Sequence, residues 1–112
     1  ATWTHRTRLD DGDPLGRVTA TPLSDGASLI VWLEGRGEEA AWVARRVSPE
    51  GGPGPVLTLA ESSRARAVGF PRILAAGEEV FVTWTARGGD REHVEVRRLL
   101  TGSPEDTKVR RR

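Results

Sequence analysis

Ile30-Val-Trp-Leu33 and Val82-Thr-Trp-Thr85 are one Trp-centred, β-branched segment met twice, 52 residues apart. At the same spacing Trp32 falls on Trp84, Gly37 on Gly89, and Arg45-Arg46-Val47 on Arg97-Arg98-Leu99. The order of events around the two segments also repeats. Gly16 or Gly69 opens the unit, followed by an apolar stretch, a Gly-bearing turn, the Trp strand, a second turn and an Arg-Arg strand. A repeat of this length is a supersecondary module, and such modules bury their hydrophobic faces against neighbours.

Working outward, residues 28–34 (SLIVWLE) and 79–85 (EVFVTWT) read as buried strands with β-branched and aromatic centres. Residues 16–23 (GRVTATPL) read as a short strand closed by a hairpin turn at Asp25-Gly26. Residues 40–48 (AAWVARRVS) fit helix or strand; the matching stretch 93–99 (HVEVRRL) alternates, which assigns both as strands. Pro49 to Pro55 is a turn cluster that no helix or central strand absorbs, and it delivers the chain to a short strand at 56–60 (VLTLA). Residues 61–68 cross between modules, Gly69-Phe-Pro-Arg-Ile-Leu74 begins the second one, and 86–90 is a loose turn. Residues 2–9 (TWTHRTRL) alternate as a strand. The second module has no copy of VLTLA, so strand 2–9 is the candidate for completing it.

The expected organisation is a single all-β unit over 1–112, with a first blade-like repeat at 9–60, a second at 61–103 and a flexible basic tail at 104–112. Short antiparallel sheets arranged radially are the β-propeller solution, and about two such blades fit in this chain. Closure takes about four blades at minimum. Two blades therefore need further copies of the chain or the remaining blades of a larger propeller. A β-sandwich of two packed hairpin modules is the competing architecture.

The composition narrows the function classes. The chain has 17 basic and 16 acidic residues, and only Lys108 among the basic ones is not Arg. Without the terminal Lys108-Val-Arg-Arg-Arg112 the body is mildly acidic, which argues against a nucleic-acid surface. No Cys is present, so disulfides and thiolate metal sites are excluded. No run approaches the roughly 18 apolar residues of a membrane helix; the first residues do not read as a basic stretch followed by an apolar one, which says nothing about secretion. A start at Ala and the absence of Met fit a processed product, a fragment or a chain without its own start.

The stretches Asp13-Pro-Leu-Gly-Arg17, Asp25-Gly-Ala-Ser-Leu-Ile-Val-Trp-Leu-Glu34, Val43-Ala-Arg-Arg-Val-Ser48 and Gly69-Phe-Pro-Arg72 with Val82-Thr-Trp-Thr85 resemble blades of bacterial sialidase-like, BNR-type β-propellers. The likeness is to the C-terminal blades and spans nearly all of 9–100. It implies a propeller fold and a secreted or periplasmic location. Sialidases, as a family, hold the sialic acid carboxylate with three arginines and use a Tyr-Glu nucleophile pair with an acidic catalyst. This chain has no Tyr. It also lacks the Ser-x-Asp-x-Gly-x-x-Trp box, because Trp32 stands six residues beyond Gly26. The resemblance thus implies the fold and assigns no catalytic residue.

Four residues are candidates for ligand binding. Arg17 and Arg72 follow the module-opening glycines, where a guanidinium either grips a carboxylate in two-point fashion or pairs with a neighbouring acid. Glu34 ends the most apolar strand, either for acid–base chemistry or for pairing with Arg36 or Arg46. Trp42 has Val94 as its repeat mate and serves either as a stacking platform for sugar or as packing against Trp32 or the next blade. Trp32 and Trp84 are structural, set to pack between sheets. Asp10-Asp-Gly-Asp13 suggests calcium but lacks the downstream Glu of an EF-hand loop and reads as an acidic turn. His5 and His93 stand alone, and no metal ligands or cofactor are expected.

Three functions stay open. The first is a structural or binding part of a β-propeller without self-contained catalysis, with a glycan or small anion as ligand. The second is a portion of a sialidase-like glycoside hydrolase whose catalytic residues lie mostly outside this chain. The third is a β-sandwich ligand-binding module.

Overall fold

The computed structural model describes residues 2, 6–64, 69–88 and 91–100. Seven strands follow in order: β1 (Pro14–Pro22), β2 (Ser28–Arg36), β3 (Glu39–Val47), β4 (Pro53–Ser62), β5 (Arg72–Ala76), β6 (Glu79–Gly88) and β7 (Arg91–Leu100). They make two antiparallel meanders, β1-β2-β3-β4 and β5-β6-β7. The fold is all-β, as the alternation and turn spacing led one to expect, and neither sheet closes on itself. The expected tail at 104–112 lies outside the described residues.

The repeat holds residue by residue in its central hairpin. Trp32 pairs with Val43 and Leu33 with Trp42; Trp84 pairs with Glu95 and Thr85 with Val94. A slip of one residue would turn each apolar set to the wrong face, so the shared register fixes the same faces in both sheets. The ambiguous stretch at 40–48 is strand because that register puts Trp42 and Ala44 on one face and Val43 on the other.

One core lies between the sheets. Leu29, Val31 and Leu33 of β2, Ala40, Trp42 and Ala44 of β3, and Leu59 of β4 pack with Val80, Val82 and Trp84 of β6. A smaller cluster of Trp32, Ala41 and Val43 lies on the opposite face of the first sheet, joined by Leu9, Ile30 and Val56. Both faces of β2 are therefore covered, which explains four consecutive buried residues from Val31 to Glu34. Each buried Trp removes roughly 150–250 Å² from water, on the order of 4–6 kcal/mol of driving force.

Trp84 thus points into the space between the sheets, whereas Trp32 points away from it. Because the two are repeat equivalents, the second sheet presents its Trp face to the back of the first. The sheets stack in one direction rather than facing each other through like surfaces.

The sheets approach most closely at β1 and β5. Gly16, the third residue of β1, and Gly69, three residues before β5, have φ of 87° and 69°, a backbone region that glycine enters without a Cβ penalty. Arg17 follows at φ 56°, an uncommon value for a residue with a side chain, where β1 breaks register with β2.

Two boundaries differ from the sequence reading. The expected turn cluster at 49–55 is strand from Pro53 onward, since β4 is an edge strand, where missing ladder donors are tolerated. Of the expected strand at 2–9, residues 3–5 lie outside the described residues, and 6–9 are in no strand. Leu9 instead packs beneath Trp32 on the first sheet.

Candidate functional site

Glu34 organises the end of the first sheet where loop 10–13, the β2–β3 turn and Arg64 meet. The strand alternation that puts Trp32 on the outward face puts Glu34 there too, and Glu34 is 1% exposed. Its Oε1 accepts the Trp32 indole N–H at 2.7 Å and the Asp11 backbone N–H at 3.1 Å. Its Oε2 accepts the Asp13 backbone N–H at 2.6 Å. Burying a carboxylate is tolerable only with such partners. The expected pairing with Arg36 or Arg46 is not made: Arg46 turns to Asp25 at 2.5 Å.

The loop is held from its other side as well. Gly35 N donates to the Asp13 carbonyl at 2.8 Å. Arg64 Nη2 donates to Asp13 Oδ2 at 2.5 Å and to the Gly37 carbonyl at 2.8 Å. A Cβ on Gly35 would run into the Asp13 carboxylate and the Arg64 guanidinium, so a larger residue there would push this ion pair out of its present place. Arg8 Nε and Nη2 donate to the two oxygens of Asp10 at 2.8 and 2.9 Å, and Gly12 N donates to Asp10 at 3.0 Å. The Arg8 hydrogen bonds come first among the influences that hold the Asp10 carboxyl down, to about 2. The acidic stretch 10–13 is a turn tied by Arg8, Glu34 and Arg64. Among the described residues no three His, Cys, Asp or Glu gather as a metal-holding group.

Beside Glu34, on the same face, lies a cavity of about 260 Å³ lined by Arg36, Glu39, Ala40, Ala41, Thr58 and Glu61. The register sets Arg36 opposite Glu39 and Ala41 opposite Glu61, which brings one guanidinium and two carboxylates around a small apolar floor. Such a notch offers hydrogen bonds to a small polar group. Glu34 itself has its carboxylate occupied by three donors and closed to solvent, and its role here is to position the loop.

The other expected ligand residues are dispersed. Arg17 lies with its guanidinium 5.7 Å from the centre of the Phe70 ring, a cation–π contact across the β1–β5 approach. Arg72 is exposed on the far face of the second sheet, opposite Thr83. Trp42 is fully buried in the inter-sheet core, on the face away from Glu34, so its ring packs against the second sheet and not against Trp32. Its Nε1 has no hydrogen-bond partner among the described residues. Of the two structural tryptophans, Trp84 packs between the sheets and Trp32 packs under Leu9. His93 Nε2 lies 2.9 Å from Glu95 Oε2, and His5 is outside the described residues.

Sequence reading missed the Asp13–Arg64 pair, whose partners are 51 residues apart with no pattern joining them. It also missed what Arg45 and Arg97 do, although their equivalence was visible. Arg45 Nη1 donates to the Leu9 carbonyl at 2.7 Å, and its Nε donates to the Gly54 carbonyl at 2.6 Å. Arg97 Nη1 donates to the Leu59 carbonyl at 3.2 Å.

No family model matches this chain, and neither a curated protein nor a solved structure does.

Proposed function

We propose that this chain is a structural and ligand-presenting unit of a directional β-sheet array of the propeller type, with no self-contained catalysis. One observation carries this reading. The repeat-equivalent Trp32 and Trp84 point the same way along the stack, so each sheet offers one kind of face forward and another backward. A sandwich built from two like modules would bring the Trp faces together. Stacking that always meets front to back is what radial blades use, and the close approach of β1 to β5 supplies the inner edge of a wedge. The resemblance to sialidase-like blades agrees with this arrangement. The dispersal of Arg17, Glu34, Trp42 and Arg72 supports a scaffold role rather than hydrolysis, with the notch beside Glu34 as a place for a small polar ligand such as a sugar.

The test is a covalent tandem of three copies, which would carry about six sheets. The expected product is a compact monomeric particle that unfolds at a higher temperature than the single chain. An extended string of independently melting units would refute the propeller reading. Turnover of sialosides by the purified chain would refute the non-catalytic one.

A further inference from the structure

The notch beside Glu34 is walled by exposed charges. On the Trp32 face the register lays the side chains out in rows. Trp32 and Val43 stand with Thr58, Glu34 and Ala41 stand with Glu61, and Arg36 stands opposite Glu39 at the β2–β3 turn. The neighbouring charges are engaged: Glu34 accepts from three donors, and Arg64 holds Asp13 and the Gly37 carbonyl. Arg36, Glu39 and Glu61 are exposed and make no hydrogen bond or ion pair among the described residues.

The small side chain of Ala41 opens the space. Ala41 is buried, so its methyl group is the floor and the longer side chains around it are the walls. Glu39 and Glu61 flank it as a diagonal pair on neighbouring strands, about 7–8 Å apart at the backbone. Two like charges with no cation between them repel, and a bound cation removes that repulsion. The walls hold an excess of negative charge, two carboxylates against the single guanidinium of Arg36. The repeat does not require any of this. The second sheet has Arg91 at the position of Glu39, His93 at that of Ala41 and Ala86 at that of Glu34. The notch therefore belongs to the first sheet and is not a by-product of the repeated module.

We propose that the notch binds an amino sugar as its protonated amine, a reading that rests on the small-ligand role given to the notch above. The ammonium lies between Glu39 and Glu61 and donates to both carboxylates. Arg36 and Thr58, at the two ends of the notch, meet the hydroxyl groups of the ring. The apolar face of the ring lies on Ala41. A neutral sugar leaves the two carboxylates without a cation, and an anionic one is repelled by them, so the charge selects the amine. The volume of about 260 Å³ falls below the roughly 300–1,000 Å³ of pockets for larger ligands, and it suits a single ring. Because the walls are exposed, water and salt weaken the pairing and the dissociation constant is on the order of 1 mM.

Proton–nitrogen correlation NMR of the full chain tests the proposal, at about pH 6, where the carboxylates are charged and the amine protonated. D-Glucosamine is expected to shift the amides of 36–41 and 58–61. N-Acetyl-D-glucosamine has the ring without the charge, and ethanolamine has the charge without the ring. Each is expected to bind at least roughly threefold more weakly than glucosamine. Glu39→Gln and Glu61→Gln are each expected to weaken glucosamine by at least roughly threefold, whereas Glu38→Gln, which removes the same charge just outside the notch, leaves it unchanged. Both acids of the notch are exposed, so the variants keep the fold. Should one lose its circular dichroism, the three ligands on wild type decide alone. Binding as strong by either comparison ligand, an equal loss in Glu38→Gln, or no shift by glucosamine at about ten times the expected dissociation constant overturns the proposal. Equal binding of the N-acetyl sugar would leave the small-sugar reading of the notch intact, and silence from both sugars would remove it too. The tandem-copy experiment tests the blade reading separately.

Discussion

The Trp32 indole donates its N–H to Glu34 Oε1 at 2.7 Å, two residues along one strand and on one face of the sheet. With the Asp11 and Asp13 amides it completes a buried carboxylate clasp. Glu34→Ala removes the acceptor and leaves three donors without a partner. We expect a loss of about 3–5 kcal/mol, the cost of breaking a buried charged network. Glu34→Gln keeps the shape but turns one acceptor into a donor facing an amide, and should lose about 1–3 kcal/mol. Urea denaturation followed by Trp fluorescence measures both. Equal, near-zero losses would show that the clasp does not hold the loop.

Trp32 and Trp42 sit on neighbouring strands, opposite faces and in opposite polar circumstances. Trp42 Nε1 bonds to nothing among the described residues, so Trp42→Phe sacrifices ring volume alone, about 1–2 kcal/mol. Trp32→Phe sacrifices similar volume and also strands Glu34 Oε1 with one donor fewer, adding about 1–2 kcal/mol. Chemical denaturation of the two variants side by side should rank Trp32→Phe as the more damaging. The reverse order would contradict the assigned hydrogen bonding.

Much of this was legible beforehand, and the reason is periodicity. The strand at 28–34 and its repeat at 79–85 were written in β-branched alternation, and the repeat itself decided strand over helix at 40–48. What alternation cannot show is which face of a strand meets what. Glu34 looked like a charge free to pair with Arg36 or Arg46, because nothing local announces that amides 21 and 23 residues upstream will fold onto it. Trp42 allowed two readings, a stacking platform or packing against Trp32 or the next blade, because its repeat mate is Val94. The mate is exposed and Trp42 buried for one reason: among the described residues, only the first sheet has a second sheet upon this face. Contacts between modules are not encoded within either module's pattern.

Arg45 and Arg97 give a matched comparison of one contact in two settings. Arg97→Ala removes a single bond to the Leu59 carbonyl and should cost about 1 kcal/mol. Arg45→Ala removes bonds to both Leu9 and Gly54, together with the packing of its stem, and should cost about 2–3 kcal/mol. Amide hydrogen exchange separates their effects. Arg97→Ala is expected to speed exchange in β7, and Arg45→Ala in the β3–β4 hairpin. Uniform acceleration throughout both sheets would mean that neither contact is local.

Acid should weaken the fold through two aspartates with arginine partners. Hydrogen bonds from Arg8 hold the Asp10 carboxyl down from the ordinary 3.8 to about 2. Asp25 is lowered too, first by its hydrogen bond with Arg46 and then by the Ala27 amide. A carboxyl whose pKa is lower in the folded chain binds protons more readily once unfolded. Its stabilising contribution is complete above the unfolded value and is lost as pH falls through the folded one. For Asp10 the loss begins near 3.8 and is finished below about 2. The Arg46–Asp25 pair is open to water, and Arg8 is exposed beside a partly covered Asp10, so the decline is shallow and salt should flatten it further. Urea midpoints taken from pH 7 down to 2 should fall less steeply below pH 4 in Asp10→Asn and Asp25→Asn than in wild type. If all three curves run parallel in that window, the arginine pairs do not carry the acid sensitivity.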